Sequence, residues 1–242
     1  MGMDVEKRAY FSGEKLSPDA LQQELLSEPP GAVMINNAAS PGLLIVQNFL
    51  PGEICKRIIQ ESASVEAKSG KVVSEGTDGA QTRKIVDSRK VEDFPASMLR
   101  TDVDFLVRTA FADFVSRHFR APIEWYESPM ILRYKKSGEY YAHSDAYNWI
   151  DDKKVWRRVA NRDYSLLIYL NEDFEGGQLE CKYLNYKISP MQGLLVAFPS
   201  DWRYAHAALP VAKGVKHTIV SFAAAEGTPR LDGPLPENLV RL

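Results

Sequence analysis

The chain has 242 residues, 45% of them hydrophobic and 26% charged, with a formal net charge of −2. That length and composition suit one domain with a sizeable core. The well-mixed charges exclude the basic footprint of a nucleic-acid binder and a polybasic membrane anchor, and no apolar run approaches the roughly 20 residues a membrane span needs. Taken in chain order, the first 35 residues read as a helical preface, with Ser17-Pro18 as N-cap and first turn before DALQQELL. GLLIVQNFL is a strand-like run ended by Pro51-Gly52, and EICKRIIQESA places Ile54, Ile58 and Ile59 on one helical face. Residues 69–93 are polar, carry Gly70, Gly76 and Gly79, and read as a mobile loop or a lid strand. From Met98 to Phe119, Leu99, Val103, Leu106, Ala110 and Phe114 recur at helical spacing and predict an amphipathic helix.

After Pro122 the pattern changes to short strands separated by turns: IEWYESPMILRYKK, YYAHSDAY, YSLLIYL, GQLECKYL, KISPM, GLLVAFP, RYAHAAL and KHTIVSFAAA. The tail GTPRLDGPLPEN, rich in Pro and Gly, reads as surface chain. Helices followed by a block of strands predict a mainly β, α+β fold: a double-stranded β-helix, or cupin-like jelly roll, with helices packed outside it. The whole, 1–242, is one domain: N-terminal helices and supporting strands to 122, a jelly-roll catalytic core over 123–225, and a surface tail over 226–242.

The two cysteines, Cys55 and Cys181, lack metal-ligand spacing and a disulfide framework. Both read as small buried hydrophobes, so a transition metal must be held by His and carboxylate. His143 and Asp145, two apart in a strand-like segment, share a face, and His206, 61 residues later, would come from a neighbouring strand. Two imidazoles and one carboxylate on one side of a metal leave three positions open, the facial set of non-haem iron(II) oxygenases. Alone, an H-x-D triplet is more often a surface hydrogen-bonding pair. His118, ending the predicted helix, reads as structural, and His217 points away from its neighbours. The context of His206 adds chemistry. Lys216 follows it by ten residues, after a turn at Lys213-Gly214, and Thr218 shares the face of Lys216. A cosubstrate dicarboxylate that chelates a metal at one end needs a buried cation for the other, and a hydroxyl there adds a donor. On an exposed strand, the same lysine would be an ordinary solvated cap.

Together these elements resemble the prolyl 4-hydroxylase-like branch of the Fe(II)- and 2-oxoglutarate-dependent dioxygenases, over roughly residues 43–225. YKKSGEYYAHSD is similar to the metal-strand signature, NRDYSLLIYLNEDFEGGQLEC to the central hairpin, and HAALPVAKGVKHTIVSF to the distal motif. The resemblance implies that His143, Asp145 and His206 are the metal and catalytic set, and that Lys216 anchors 2-oxoglutarate. It implies that Tyr134 hydrogen-bonds the cosubstrate carboxylate, that Tyr169 lines its pocket, and that Tyr140 supports the metal strand. Gly176-Gly177 would form the turn before an inward strand, and Arg162 would lie near the substrate. It further implies O2 as oxidant, release of succinate and CO2, ascorbate dependence, and hydroxylation of a peptidyl proline, another protein segment, or a free amino acid or other small molecule. An intact Asp145 argues against halogenation.

Two departures stand out. Phe222 replaces a Trp six residues after the anchor cation, and Gly138 is displaced by one in the first signature. The insert AYNWIDDKKVWRRVANR, with Trp149, Trp156, Arg157 and Arg158, reads as either a lid or substrate contact, or an amphipathic surface segment. Two other functions compete: a cupin-like iron dioxygenase that does not use 2-oxoglutarate, and a jelly-roll binding protein without redox turnover. The opening MGMDVEKRAYFSGEKL lacks the apolar core of a secretory signal and Met1-Gly2 fits a myristoylation start poorly. A cytoplasmic protein without a membrane or nucleic-acid partner is therefore expected; the oligomeric state leaves no trace in the sequence.

Overall fold

The computed structural model describes residues 42–66, 90–151 and 153–242, together with the short strands Tyr10–Phe11, Glu14–Lys15, Val33–Met34, Lys68–Ser69, Val72–Glu75 and Gln81–Lys84. The helix expected after Ser17-Pro18 lies outside the described residues. Between residues 69 and 93, Val72–Glu75 pairs antiparallel with Gln81–Lys84, so this stretch contains a hairpin.

Two antiparallel sheets face each other. The larger has ten strands; along its main path Leu44–Gln47, Leu195–Pro199, Tyr164–Tyr169, Lys216–Ala225, Met130–Tyr134 and Glu92–Pro95 lie side by side. The smaller has four, in the order Tyr140–His143, His206–Ala208, Leu179–Cys181, Tyr186–Ile188. This is the expected jelly roll. Alternation along each strand of the larger sheet divides its residues between two cores. Leu166, Ile168, Leu195, Ala197 and Ile219 pack against the helices on the outer face, while Tyr169, Val196 and Phe198 join Leu179, Cys181 and Ile188 between the sheets. Cys55 and Cys181 are both free and buried.

The helices meet the sequence pattern with one revision. Gly52–Ser62 buries Cys55 and Ile58 as the periodicity requires. The helix expected from Met98 starts later, at Val103, where the Asp102 carboxylate accepts the Phe105 N–H at 3.0 Å. Met98 closes a short 3-10 turn, and Leu99 packs on the core from extended backbone. Within the helix, Ala110–Val115 widens to π geometry before α geometry resumes over Ser116–Phe119. The extra residue in that turn rotates the apolar stripe, so that Phe111, Phe114, Val115, His118 and Phe119 are all buried. No helix among the described residues is long and apolar enough to cross a membrane. The tail is tied down: Leu239–Arg241 pairs with Ile123–Glu127.

Candidate metal centre and cosubstrate pocket

In the smaller sheet His143 and His206 are direct cross-strand partners, with ring centroids 4.5 Å apart. The strand ends at His143, and Asp145 follows in a bend instead of continuing the strand. The bend still turns its carboxylate between the two rings: Oδ1 lies 3.3 Å from His143 Nε2 and Oδ2 lies 3.8 Å from His206 Nε2. One ligand atom from each of the three residues falls within 4.8 Å of the others, the only such group of three or more among the described residues.

The two imidazoles are oriented in the same way. His143 Nδ1 meets the Tyr141 carbonyl at 2.8 Å, and His206 Nδ1 meets the Tyr204 carbonyl at 3.0 Å. A carbonyl can only accept, so each Nδ1 carries the proton and each Nε2 turns its lone pair toward Asp145. Tyr140 stacks on His143 at 3.6 Å between centroids. Burial lowers the His206 pKa to about 4, only partly opposed by Asp145, which keeps the ring neutral. Burial alone would raise the Asp145 pKa, but His206, His143 and the Ser165 hydroxyl outweigh it and hold the carboxyl well below its usual range. Two imidazole nitrogens and one carboxylate constitute a divalent-metal donor set.

A second cluster lies on the inner face of the larger sheet, where register brings it together. Tyr134 is the cross-strand partner of Lys216, and Tyr169 that of Thr218. Lys216 is 2% exposed; its Nζ donates to the Gly177 carbonyl at 2.9 Å and lies 4.1 Å from the centre of the Tyr134 ring. Burial pushes its pKa down to about 7. Thr218 Oγ1 is buried without a hydrogen-bond partner. A buried ammonium beside an unsatisfied hydroxyl is the complement of a carboxylate. The glycine turn makes room for it. Gly176 and Gly177 both have positive φ, and a Cβ on Gly177 would meet the Lys216 Cδ at 3.3 Å. The two clusters share one interior: the Phe198 ring is 4.9 Å from that of His206 and belongs to the same core as Tyr169. His217, between Lys216 and Thr218 on the strand Lys216–Ala225, alternates to the opposite face, as expected.

Arg162 lies beside the metal group but is already engaged. It grips both oxygens of Glu127 at 2.5 and 2.7 Å, donates to the Asp145 carbonyl at 3.2 Å, and sits 3.7 Å over the ring of Phe222. The aromatic insert is a hairpin of Tyr147–Ile150 with Val155–Arg158, in which Trp149 opposes Trp156. Trp156 stacks at 6.5 Å on Trp202, four residues before His206. Arg158 faces inward onto Asp163 at 2.8 Å and is not a free surface cation. Sequence reasoning missed Ser165, Ser200 and Glu127. A lone Ser in the apolar run YSLLIYL was a signal, since a buried hydroxyl requires a partner.

Comparison with known proteins agrees with this geometry. Residues 129–224 match the model of the 2OG-Fe(II) oxygenase superfamily. Over 58 residues, 22% of this chain, the sequence is 38% identical to human prolyl 3-hydroxylase 2. The match spans only 8% of that protein's length. A Trichoplax adhaerens prolyl hydroxylase, solved with a peptide fragment of the hypoxia inducible factor oxygen degradation domain, superposes with a TM-score of 0.59 at 18% identity, covering 88% of this chain and 94% of the other. A viral collagen prolyl hydroxylase from Paramecium Bursaria Chlorella virus-1, solved with 2OG, gives 0.56 at 21% identity, covering 76% and 97%.

Proposed function

We propose that this chain, whose residues 129–224 are a 2OG-Fe(II) oxygenase domain on the fold shared with the prolyl hydroxylases, hydroxylates an unactivated C–H bond of a peptidyl substrate. The observation that carries the reading is the pairing of a His-Asp-His donor set with a buried ammonium that has no carboxylate partner among the described residues. His143 Nε2, the Asp145 carboxylate and His206 Nε2 hold iron(II). Lys216 and Thr218 take the distal carboxylate of 2-oxoglutarate, with Tyr134 and Tyr169 walling the pocket. Bound iron, 2-oxoglutarate and O2 supply the oxidising chemistry, and the balance is one C–H bond converted to C–OH as the oxo acid becomes succinate and CO2. Asp145 would supply a carboxylate to the bound metal, which favours hydroxylation over halogenation. The Tyr134, Tyr169 and Phe198 rings keep water from the interior, strengthening the Lys216–carboxylate attraction.

A peptide is favoured over a free amino acid because Arg162, which touches the metal group through the Asp145 carbonyl, is already neutralised by Glu127 and would have to release it to receive a substrate carboxylate. The relatives solved or named as prolyl hydroxylases support peptidyl proline as the first substrate to test. A cytoplasmic setting and stimulation by ascorbate belong to the same proposal. A screen of succinate release across proline-containing peptides and free amino acids, with and without ascorbate, tests it. We expect iron- and 2-oxoglutarate-dependent succinate matched by a product 16 mass units heavier in at least one peptide. Oxidation of an organic substrate without succinate would instead support the cupin-like reading, and metal binding with no turnover of any kind the binding-protein reading.

A further inference from the structure

We propose that Ser165 and Ser200 form a one-way hydroxyl relay that positions Asp145 as a single-oxygen metal ligand; this rests on the iron-centre reading above. Both serines are 1% exposed. Ser165 Oγ donates to Asp145 Oδ2 at 2.6 Å, and Ser165 Oγ and Ser200 Oγ are 2.7 Å apart. Proton counting fixes the direction. Asp145 is a carboxylate and can only accept, so Ser165 gives it its one hydroxyl proton. Ser165 then has none left for Ser200, and Ser200 must be the donor in the second bond. The chain therefore runs Ser200 to Ser165 to Asp145, each bond polarised by the charge at its end.

Ser200 also anchors the backbone around the ligand. Its carbonyl accepts Ser144 Oγ at 2.9 Å and the Ala146 N–H at 3.1 Å, so the residues on both sides of Asp145 hang from one peptide at the end of Leu195–Pro199. With Oδ2 held by the relay, Oδ1, on the His143 side, is the oxygen presented to the metal. In a bend with no strand pairing of its own, the carboxylate would otherwise be free to rotate about its Cβ–Cγ bond. These are positioning residues: Ser165 touches the ligand, and Ser200 acts through Ser165 and the flanking backbone.

The test is anaerobic titration of the full chain with iron(II), and separately with cobalt(II) read through its visible d–d bands, for the parent, Ser165→Ala, Ser200→Ala and the double variant. Loss of an outer-shell partner typically weakens metal binding about 10–100-fold, and Ser165→Ala is expected to lie in that range with an altered cobalt spectrum. Ser200→Ala, which keeps the backbone bonds, is expected to show a smaller loss. The double variant should bind no more weakly than Ser165→Ala, because the Ser200 hydroxyl acts only through Ser165. Should Ser165→Ala fail to fold, Ser165→Thr and Ser165→Val, equal in volume and differing in the hydroxyl, replace it, and the threonine variant alone should retain parental affinity. Unchanged or tighter iron binding in Ser165→Ala, or losses that multiply in the double variant, overturn the relay while leaving the metal centre intact. A parent that binds no divalent metal overturns both.

Discussion

Lys216 donates to one carbonyl and faces one aromatic ring, and nothing described around it carries the negative charge that its burial calls for. If that charge arrives with the cosubstrate, Lys216→Ala breaks a buried pair and should weaken 2-oxoglutarate binding by roughly 3–5 kcal/mol, about two to four decades in Kd. Isothermal titration of the iron-loaded protein without O2 reads this, and an unchanged Kd would remove Lys216 from the pocket. The same group sets a pH dependence. Its pKa without ligand is lowered to about 7 by burial, and a bound carboxylate favours the ammonium, raising it. Above pH 7 the free protein has lost a proton that the complex retains, so affinity must fall as pH rises, by about tenfold per unit until the bound-state pKa is reached. Below pH 7 this group contributes no slope. A 2-oxoglutarate Kd that is flat between pH 7 and 8.5 contradicts the assignment. The sequence named His143, Asp145, His206, Lys216 and Thr218, and the fold brings the first three together in one group and the last two onto one strand. The strand expected to carry both His143 and Asp145 ends at His143, and a bend places Asp145 instead. Ser165, Ser200 and the grip of Glu127 on Arg162 were not legible in the sequence: those bonds join residues 20 to 35 positions apart, and only strand register determines them.

Among the elements, the turn at Gly176–Gly177 links backbone geometry to chemistry. Gly177 has a φ of +67°, and a Cβ there would meet Phe174 at 3.0 Å and both Lys216 and Val211 at 3.3 Å. Gly177→Ala should therefore cost about 1–3 kcal/mol of stability for the left-handed backbone and also disturb the carbonyl that receives the Lys216 ammonium. We expect a lower thermal midpoint together with weaker 2-oxoglutarate binding and unchanged iron affinity. A variant with parental cosubstrate affinity would show that the turn shapes the loop and not the anchor. Most strands were readable from alternation and punctuation, but IEWYESPMILRYKK, expected as one strand, is divided at Ser128-Pro129 into Ile123–Glu127 and Met130–Tyr134. The helix over Val103–Phe119 was readable in kind but not in detail. Its start depends on the Asp102 cap, and its buried face on a π turn that 3.6-residue periodicity cannot represent. The insert at 146–162 carried two readings in the sequence; its hairpin depends on Trp149 meeting Trp156 and on Trp202 receiving that pair from a distant segment.

At the scale of the molecule, the larger sheet is backed by helices on one face and closed by the smaller sheet on the other. The His143, Asp145 and His206 group lies on the smaller sheet and the bend after it, and Lys216, the proposed cosubstrate anchor, on the larger. The fold is thus a device for holding two sets of groups, one on each wall, around a single interior. Helices followed by strands, with an H-x-D and a distant His-Lys pair, already implied this arrangement. Which strands face each other does not follow from local pattern, since it depends on non-local pairings such as His143 with His206. The most direct test is anaerobic addition of iron(II) and 2-oxoglutarate, singly and together, while recording visible absorption. The account predicts a weak metal-to-ligand charge-transfer band that appears only when both are present, saturates at one equivalent of iron, and is lost in His143→Ala. No band at saturating concentrations of both, or a band of full strength in His143→Ala, would contradict it.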